Sequence, residues 1–443
     1  MAQIDMLHGP LGRKILLFAL PLAASSVLQQ MFNAVDVAVV GRFASSEALA
    51  AVGSNSPVIN LLVNLFVGIS MGANVVIANY FGQSNAAGVR RSVATSFVVA
   101  LASGLFLMAL GIGVARPILE LMGAPANVID LAVLYLRIYF VGMPFIMVFN
   151  FGSAILRSLG DTRRPLLCLI VSGVVNTVLN LVLVIGFGMS VDGVAIATVA
   201  ANVVNAVMVV AMLRRETSAA RLDFRALRVS LPELGKMLRI GVPAGVQGMV
   251  FSLSNVVIQS AVNGFGYAAM AGSAAALTYE QICYFFVAAF CGAAVTFVGQ
   301  NFGAGEKARC RRIFKICMTL AVVVTASLNV LIVLFRDFFI SIFSTDPDVV
   351  SFASERMLAA LCVQSLAATY EVSGAVLRGM GHSTLPAVLT VFGSCVFRLV
   401  WVYFALPLHH TFTFLIVVYP ISWTITGLMV LSAYWRISRR ELV

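Results

Sequence analysis

Charged side chains are scarce in this sequence: Asp, Glu, Lys and Arg make up 11% of 443 residues, against roughly 25% in an ordinary soluble domain. So little charge cannot cover a water-soluble surface. Histidine is scarcer still, and His8, His382, His409 and His410 fall at termini or in loops without metal-ligand spacing. The seven cysteines include no C-x-x-C pair, which argues against the common zinc and dithiol centres, and they are expected as free thiols in apolar surroundings. No G-x-x-x-x-G-K-[ST] loop occurs, so nothing points to an ATP-driven engine. No Ser/His/Asp or Cys/His arrangement stands out, so no enzyme chemistry and no cofactor is expected. The in-and-out alternation of an outer-membrane strand is also missing. Met1 to Pro10 is polar and Arg13-Lys14 leads directly into a full-length apolar segment, which does not fit a cleavable signal peptide.

What the chain has instead is apolar length. Hydrophobic residues make up 60% of it, in repeated runs of about 20 or more, each enough to cross a ~30 Å hydrocarbon layer as a helix. The pattern predicts an all-α integral membrane protein with twelve transmembrane helices, at 15–40, 51–79, 92–115, 127–155, 165–187, 192–213, 240–262, 272–299, 313–335, 349–377, 386–406 and 412–435. With the N-terminus inside, the inner loops hold 23 of the 29 Lys and Arg, the outer loops hold Arg42, Arg116 and Arg336, and Arg137, Arg356 and Arg398 lie within helices. That bias places both termini in the cytoplasm and the chain in a cytoplasmic (inner) membrane. The net charge of +11 is thereby read as topology. It gives no reason to expect a nucleic-acid partner; the bilayer is the expected surroundings.

The chain repeats itself. Ser153–Pro165, SAILRSLGDTRRP, aligns with Gly374–Pro386, GAVLRGMGHSTLP, at an offset of 221, with five of thirteen positions identical. The same offset carries Phe81-Gly82 and Arg90-Arg91 onto Phe302-Gly303 and Arg311-Arg312, and an offset of 222 carries Pro21, Asn33, Pro125 and Val128 onto Pro243, Asn255, Pro347 and Val350. Six helices per copy is an even number, so the two repeats run parallel, related by a pseudo-two-fold axis along the membrane normal. The expected organisation is an N-terminal six-helix lobe at 1–213, a cytoplasmic linker at 214–239 and a C-terminal lobe at 240–443, around a central cleft that rocking exposes to each side in turn. Pro21 and Pro243, inside the first helix of each half, are candidate hinges because proline removes a helical hydrogen bond.

Several stretches resemble the MATE family of multidrug and toxin extrusion antiporters. They are Gln30-Met31-Phe32-Asn33-Ala34-Val35-Asp36, then Ala48-Leu49-Ala50-Ala51-Val52-Gly53, the duplicated Leu-Arg-x-x-Gly-Asp-Thr loop at 156–162 with its copy at 377–381, and Val298-Gly299-Gln300-Asn301-Phe302-Gly303-Ala304-Gly305. The resemblance covers essentially the whole chain. It implies export of organic cations and varied drugs driven by inward H⁺ or Na⁺. It also implies a cation site in the first lobe, with Asp36 matching the acid of the first helix, Asn176 and Asn180 the polar positions of the fifth, and Thr198 that of the sixth. Some members carry a second carboxylate where this chain has Asn180, which favours protonation of Asp36 over a Na⁺ site.

Asp36 supports a functional reading by itself. A carboxylate in a transmembrane helix costs about 2.5–3.5 kcal/mol on insertion scales, and such groups mark ion or proton pathways. At ~1.5 Å per residue, Asp36, Asn180 and Thr198 fall in the outer half of the bilayer and Asn176 near its midplane, so one chamber can hold all four. The 222 offset turns Asp36 into Ile258 and Asn176 into Arg398, so cation coupling is expected in the first half alone. Arg398 needs a partner, with Glu280 at similar depth the first choice and Glu371 the second; these three residues are either a structural ion pair or a contact for substrate. Arg137 and Arg356 are expected to snorkel outward. The 31 Phe and 18 Met suit an adaptable surface.

Together these readings predict a monomeric, H⁺- or Na⁺-coupled antiporter exporting cationic or amphipathic small molecules by alternating access. A flippase for a lipid-linked precursor, from the same superfamily, is the alternative. A scaffold or membrane enzyme has no supporting residues.

Overall fold

The computed structural model describes residues 3–122, 125 and 127–442, leaving aside the side chains at 46, 54 and 57, and the described residues form helices and no strand. The spans run α1 Leu11–Phe43, α2 Ser46–Gly82, α3 Ala86–Leu121, α4 Ile129–Val141 with Met143–Ser158, α5 Arg163–Gly186, α6 Val191–Arg214, α7 Leu231–Asn263, α8 Tyr267–Gly303, α9 Lys307–Leu334, α10 Pro347–Gly379, α11 Thr384–Leu408 and α12 Phe412–Glu441. Eleven of these are long and apolar enough to cross a membrane, or twelve if the bent pair in α4 is one span. The 48° break in α4 sits at Gly142-Met143-Pro144, where Pro144 lacks the N–H that would continue the ladder.

Each predicted helix is present, usually a turn longer at one or both ends. α7 differs most. It starts at Leu231, so Lys236 and Arg239 are helical and not part of a loop reaching 239. Pro232 in the first turn and Glu233, whose carboxylate accepts from the Ser230 hydroxyl, form a good helix start. A hydropathy window passes over it because the turn is polar.

The duplication is visible in the backbone. Gly160 and Gly381, 221 residues apart, have φ of +91° and +92°, a region that favours glycine. Asp161 N–H donates to Leu156 O at 3.1 Å, and His382 N–H to Leu377 O at 2.8 Å. Likewise Ser84 and Gly305 have φ of 55° and 78°, and Asn85 N–H reaches Tyr80 O at 2.9 Å as Glu306 N–H reaches Asn301 O at 2.8 Å. Both halves also interrupt their fifth helix with π-helical turns, Leu181–Gly186 in α5 and Val391–Val396 and Trp401–Ala405 in α11. Such wide turns are rare and recur at functional sites.

The chain divides into two compact units. The first is Ala24–Gly245 with the N-terminal residues up to Asp5, and the second is Met6–Ala23 with the chain from Val246 onward. The boundaries therefore cut α1 after Ala23 and α7 after Gly245, each two residues beyond Pro21 and Pro243. Both prolines lie inside unbroken helices. In the first unit, Gly68 and Gly72 of α2 meet Gly241 and Gly245 of α7 so closely that a Cβ at any of the four would overlap backbone atoms of the other helix. These paired G-x-x-x-G steps allow the backbone contact that membrane helices use in place of a hydrophobic drive. The second unit buries a cluster of Ala276, Tyr279, Cys283, Ile332, Ile340, Ala353, Met357 and Leu361. All seven cysteines are free thiols, and only Cys362 is exposed.

Candidate functional site

Three helices of the first unit bring Asp36 of α1, Asn176 and Asn180 of α5 and Thr198 of α6 together. The register of α1 against α5 is set by shape. Gly173 of α5 leaves the space that the Phe32 ring fills, and a Cβ there would overlap the ring. Phe32 lies one helical turn before Asp36, and Gly173 one and two turns before Asn176 and Asn180. The spacing that seats the ring thus carries the carboxylate to the two amides.

Asp36 is 8% exposed, Asn176 5% and Asn180 fully buried. The Asn180 Nδ2 donates to Asp36 Oδ1 and also, at 3.3 Å, to Asn176 Oδ1. The Thr198 hydroxyl is 3.4 Å from Asp36 Oδ2 and 2.9 Å from Val194 O, and Asn176 Nδ2 is 3.4 Å from the same hydroxyl. Among the described residues no Lys, Arg or His pairs with Asp36; its hydrogen-bond partners are neutral. The Asn180 Oδ1 is buried without a partner. Tyr135 and Tyr139 of α4, stacked with centroids 6.1 Å apart, stand within electrostatic reach of Asp36. The sequence reading did not name them, although their i, i+4 spacing puts both on one face of α4.

What this cage can do follows from its charge. A buried carboxylate held only by neutral donors needs a cation to balance it. The oxygens available are the two of Asp36, the Asn176 and Asn180 amide oxygens and the Thr198 hydroxyl. No group of three or more His, Cys, Asp or Glu that could hold a metal ion is present among the described residues, and the donors of this cage are all oxygens, which suit hard cations.

The corresponding place in the second unit is different. Ile258 is 2% exposed and apolar, and Arg398 occupies the α11 position that Asn176 occupies in α5. The expected Glu280–Arg398 pair is not formed. Glu280 instead receives both arms of Arg356, Nε at 2.8 Å and Nη2 at 3.1 Å, because α8 and α10 bring the two residues into the same buried cluster. Arg356 is 1% exposed and does not snorkel, whereas Arg137 is exposed. Glu371 also misses Arg398 and accepts from the Tyr284 hydroxyl at 3.1 Å. Arg378, counted as a loop residue in the sequence, is 7% exposed and donates to Gln247 Oε1 at 2.7 Å.

A family model described as MatE matches residues 21–182 and again residues 243–404. The two matches cover well over half of the chain and lie 222 residues apart. The chain belongs to the MATE family. It is similar to the probable multidrug resistance protein YoeA of Bacillus subtilis, 31% identical over 391 residues that make up 86% of this chain and 84% of that protein. It is also similar to the FAD transporter of Shewanella oneidensis, 25% identical over 81% of this chain and 80% of that one. A solved multidrug resistance MATE family transporter in an outward-facing conformation shares the fold, with a TM-score of 0.89 and 20% identity over 99% of this chain and 98% of that one. This MATE protein is thus a multi-pass membrane transporter of two six-helix repeats.

Proposed function

We propose that this MATE protein is a cation-coupled antiporter of a cytoplasmic membrane, exporting cationic or amphipathic small molecules by alternating access. Asp36, Asn176, Asn180 and Thr198 form its coupling-ion site. One observation carries this reading: a buried carboxylate whose hydrogen-bond partners are all neutral, present in the first repeat and replaced by Ile258 in the second.

The coupling cycle follows from that site. A cation entering from outside neutralises Asp36 and removes the cost of a charge in the membrane interior. The neutral and ionised forms favour different arrangements of α1 against α5 and α6, since Asn180 and Thr198 bond the carboxylate most strongly when it is charged. Release of the cation to the cytoplasm restores the charged form. The lone acid supports H⁺ as the ion. For Na⁺ the Asn180 amide would turn, offering its partnerless Oδ1 as a fifth oxygen. Pro21 and Pro243 are where α1 and α7 bend, since each removes one ladder bond close to a unit boundary.

The experiment is dye efflux from cells producing Asp36→Asn at the level of the unsubstituted protein. Loss of gradient-driven efflux is expected. Efflux at the normal rate would count against Asp36 as the coupling group.

A further inference from the structure

The second unit contains two fully buried guanidinium groups, those of Arg356 and Arg398, both close to one aromatic ring. Arg356 lies 5.4 Å from the Tyr419 centroid and Arg398 4.7 Å from it. They differ in how their charge is met. Arg356 is saturated by the bidentate Glu280 carboxylate. Arg398, 1% exposed, donates from Nε to the Ser422 hydroxyl at 3.1 Å and from Nη1 to Asn255 Oδ1 at 3.5 Å, and lies 5.2 Å from the Phe251 centroid. Among the described residues no carboxylate comes within ion-pair distance of it. Both glutamates that could have served are engaged elsewhere, Glu280 with Arg356 and Glu371 with Tyr284.

A guanidinium is not neutralised by losing its proton, and a buried charge without a counter-charge is costly. Neutral oxygens and ring faces hold such a group in position without cancelling its charge. Of the groups around Arg398, Asn255 on α7 is exposed while Ser422 and Tyr419 are buried, so Asn255 is the partner a ligand can reach first. The remaining geometry suits an amphipathic anion. The planar fork matches a carboxylate or phosphate, and the half-buried Phe251 offers apolar ring surface to an aromatic body attached to it.

We propose that Arg398, with Asn255 and Phe251, is a receiving site for the carboxylate or phosphate of an amphipathic cargo, so that this transporter selects molecules with an anionic group as well as an apolar or aromatic one. This rests on the reading of the protein as an exporter of amphipathic small molecules. It does not depend on Asp36 being the coupling group, and the test keeps the two apart by measuring binding without any gradient.

Binding of riboflavin 5′-phosphate and of riboflavin, which differ by the phosphate alone, is followed by flavin fluorescence on the purified full chain in neutral dodecyl maltoside. The phosphate form should bind about 10- to 100-fold more tightly, the range of one charge-assisted fork. Asn255→Asp, on the exposed face, supplies Arg398 with its own carboxylate and should erase the preference. Arg398→Gln should do the same. Asp36→Asn should keep the preference even where it abolishes efflux. Repeating the measurement with phosphatidylglycerol added separates the sources: unchanged binding identifies a soluble amphiphile as the ligand, and competition identifies a lipid headgroup. Equal affinity for the two flavins in the unsubstituted protein, or a preference that survives Asn255→Asp and Arg398→Gln, would overturn the proposal.

Discussion

Substituting Gly173 by alanine tests how the cation cage is built, because it changes no polar atom. The new Cβ would overlap the Phe32 ring, and carbon atoms need about 3.5–4.0 Å between them. The ring, or α1 with it, must therefore retreat by about 1.5 Å or more. Asp36 lies one turn along the same helix, and the Thr198–Asp36 distance is already 3.4 Å. That bond has almost no slack before it passes the limit of a hydrogen bond. A retreating α1 also draws the carboxylate away from Asn180. Losing one bond to a charged group corresponds to about 1.5–3 kcal/mol, or roughly 10- to 100-fold in affinity for the coupling ion. The assay is the initial rate of dye efflux from proteoliposomes as a function of external pH and of Na⁺. Both donors favour the charged carboxylate, so with H⁺ as the coupling ion the half-saturating proton concentration should fall by that factor in Gly173→Ala. The double variant Gly173→Ala/Phe32→Ala, which removes the clashing ring, should move it back toward the original value. A normal concentration dependence in Gly173→Ala, or no recovery in the double variant, would refute the idea that Phe32 and Gly173 set the register of the site.

Thr198→Ala removes one of the two donors to the charged Asp36 and should lower the half-saturating proton concentration by about 10-fold, the lower end of that range, in the same assay. Glu280→Gln leaves the Arg356 charge buried without its partner and should lower stability by about 3–5 kcal/mol, read as earlier heat-induced aggregation of the purified protein; Glu280→Leu with Arg356→Met should recover most of the loss. Gly241→Val forces a side chain into the backbone of α2 and should abolish the folded, monodisperse protein on size-exclusion chromatography, whereas Gly235→Ala, with open space around it, should not. Glu216 lies outside the spans, and although burial alone would raise its pKa, hydrogen bonds and charge from Arg164 hold it below the usual carboxylate range. A lowered pKa contributes stability above the unfolded value and loses it as the pH falls through the folded one. The unsubstituted protein should therefore lose thermal stability more steeply below pH 4.5 than Glu216→Gln does.

The residues make clear why some of this was legible in the sequence and some was not. Helix number and the parallel duplication are local in origin, and apolar run length with an offset of 221–222 suffices for them. The set Asp36, Asn176, Asn180 and Thr198 came from the resemblance to the MATE family, the rise along a helix adding only that their depths are compatible. The 48° break in α4 was marked by Pro144 but takes the structure to see, since the apolar run continues through it. The partner of Glu280 was misread because depth along the membrane normal is only one coordinate. Arg356 and Arg398 lie near enough in depth, and the rotation of α8 about its axis decides which of them Glu280 faces. Tyr135 and Tyr139 were missed for the same reason, because nothing in α4 alone says which face meets α1. The early start of α7 escaped notice because its first turn is polar, while its capping residues were there to read.

The central claim is that one carboxylate converts an ion gradient into cargo movement, and proteoliposomes test it most directly. Cargo flux is measured under an imposed pH gradient, under an imposed Na⁺ gradient and as gradient-free exchange, for the unsubstituted protein and for Asp36→Asn. The account predicts that one gradient drives flux in the unsubstituted protein, and that Asp36→Asn loses this driven flux while keeping its ability to bind cargo. Gradient-driven flux of normal size in Asp36→Asn would contradict it.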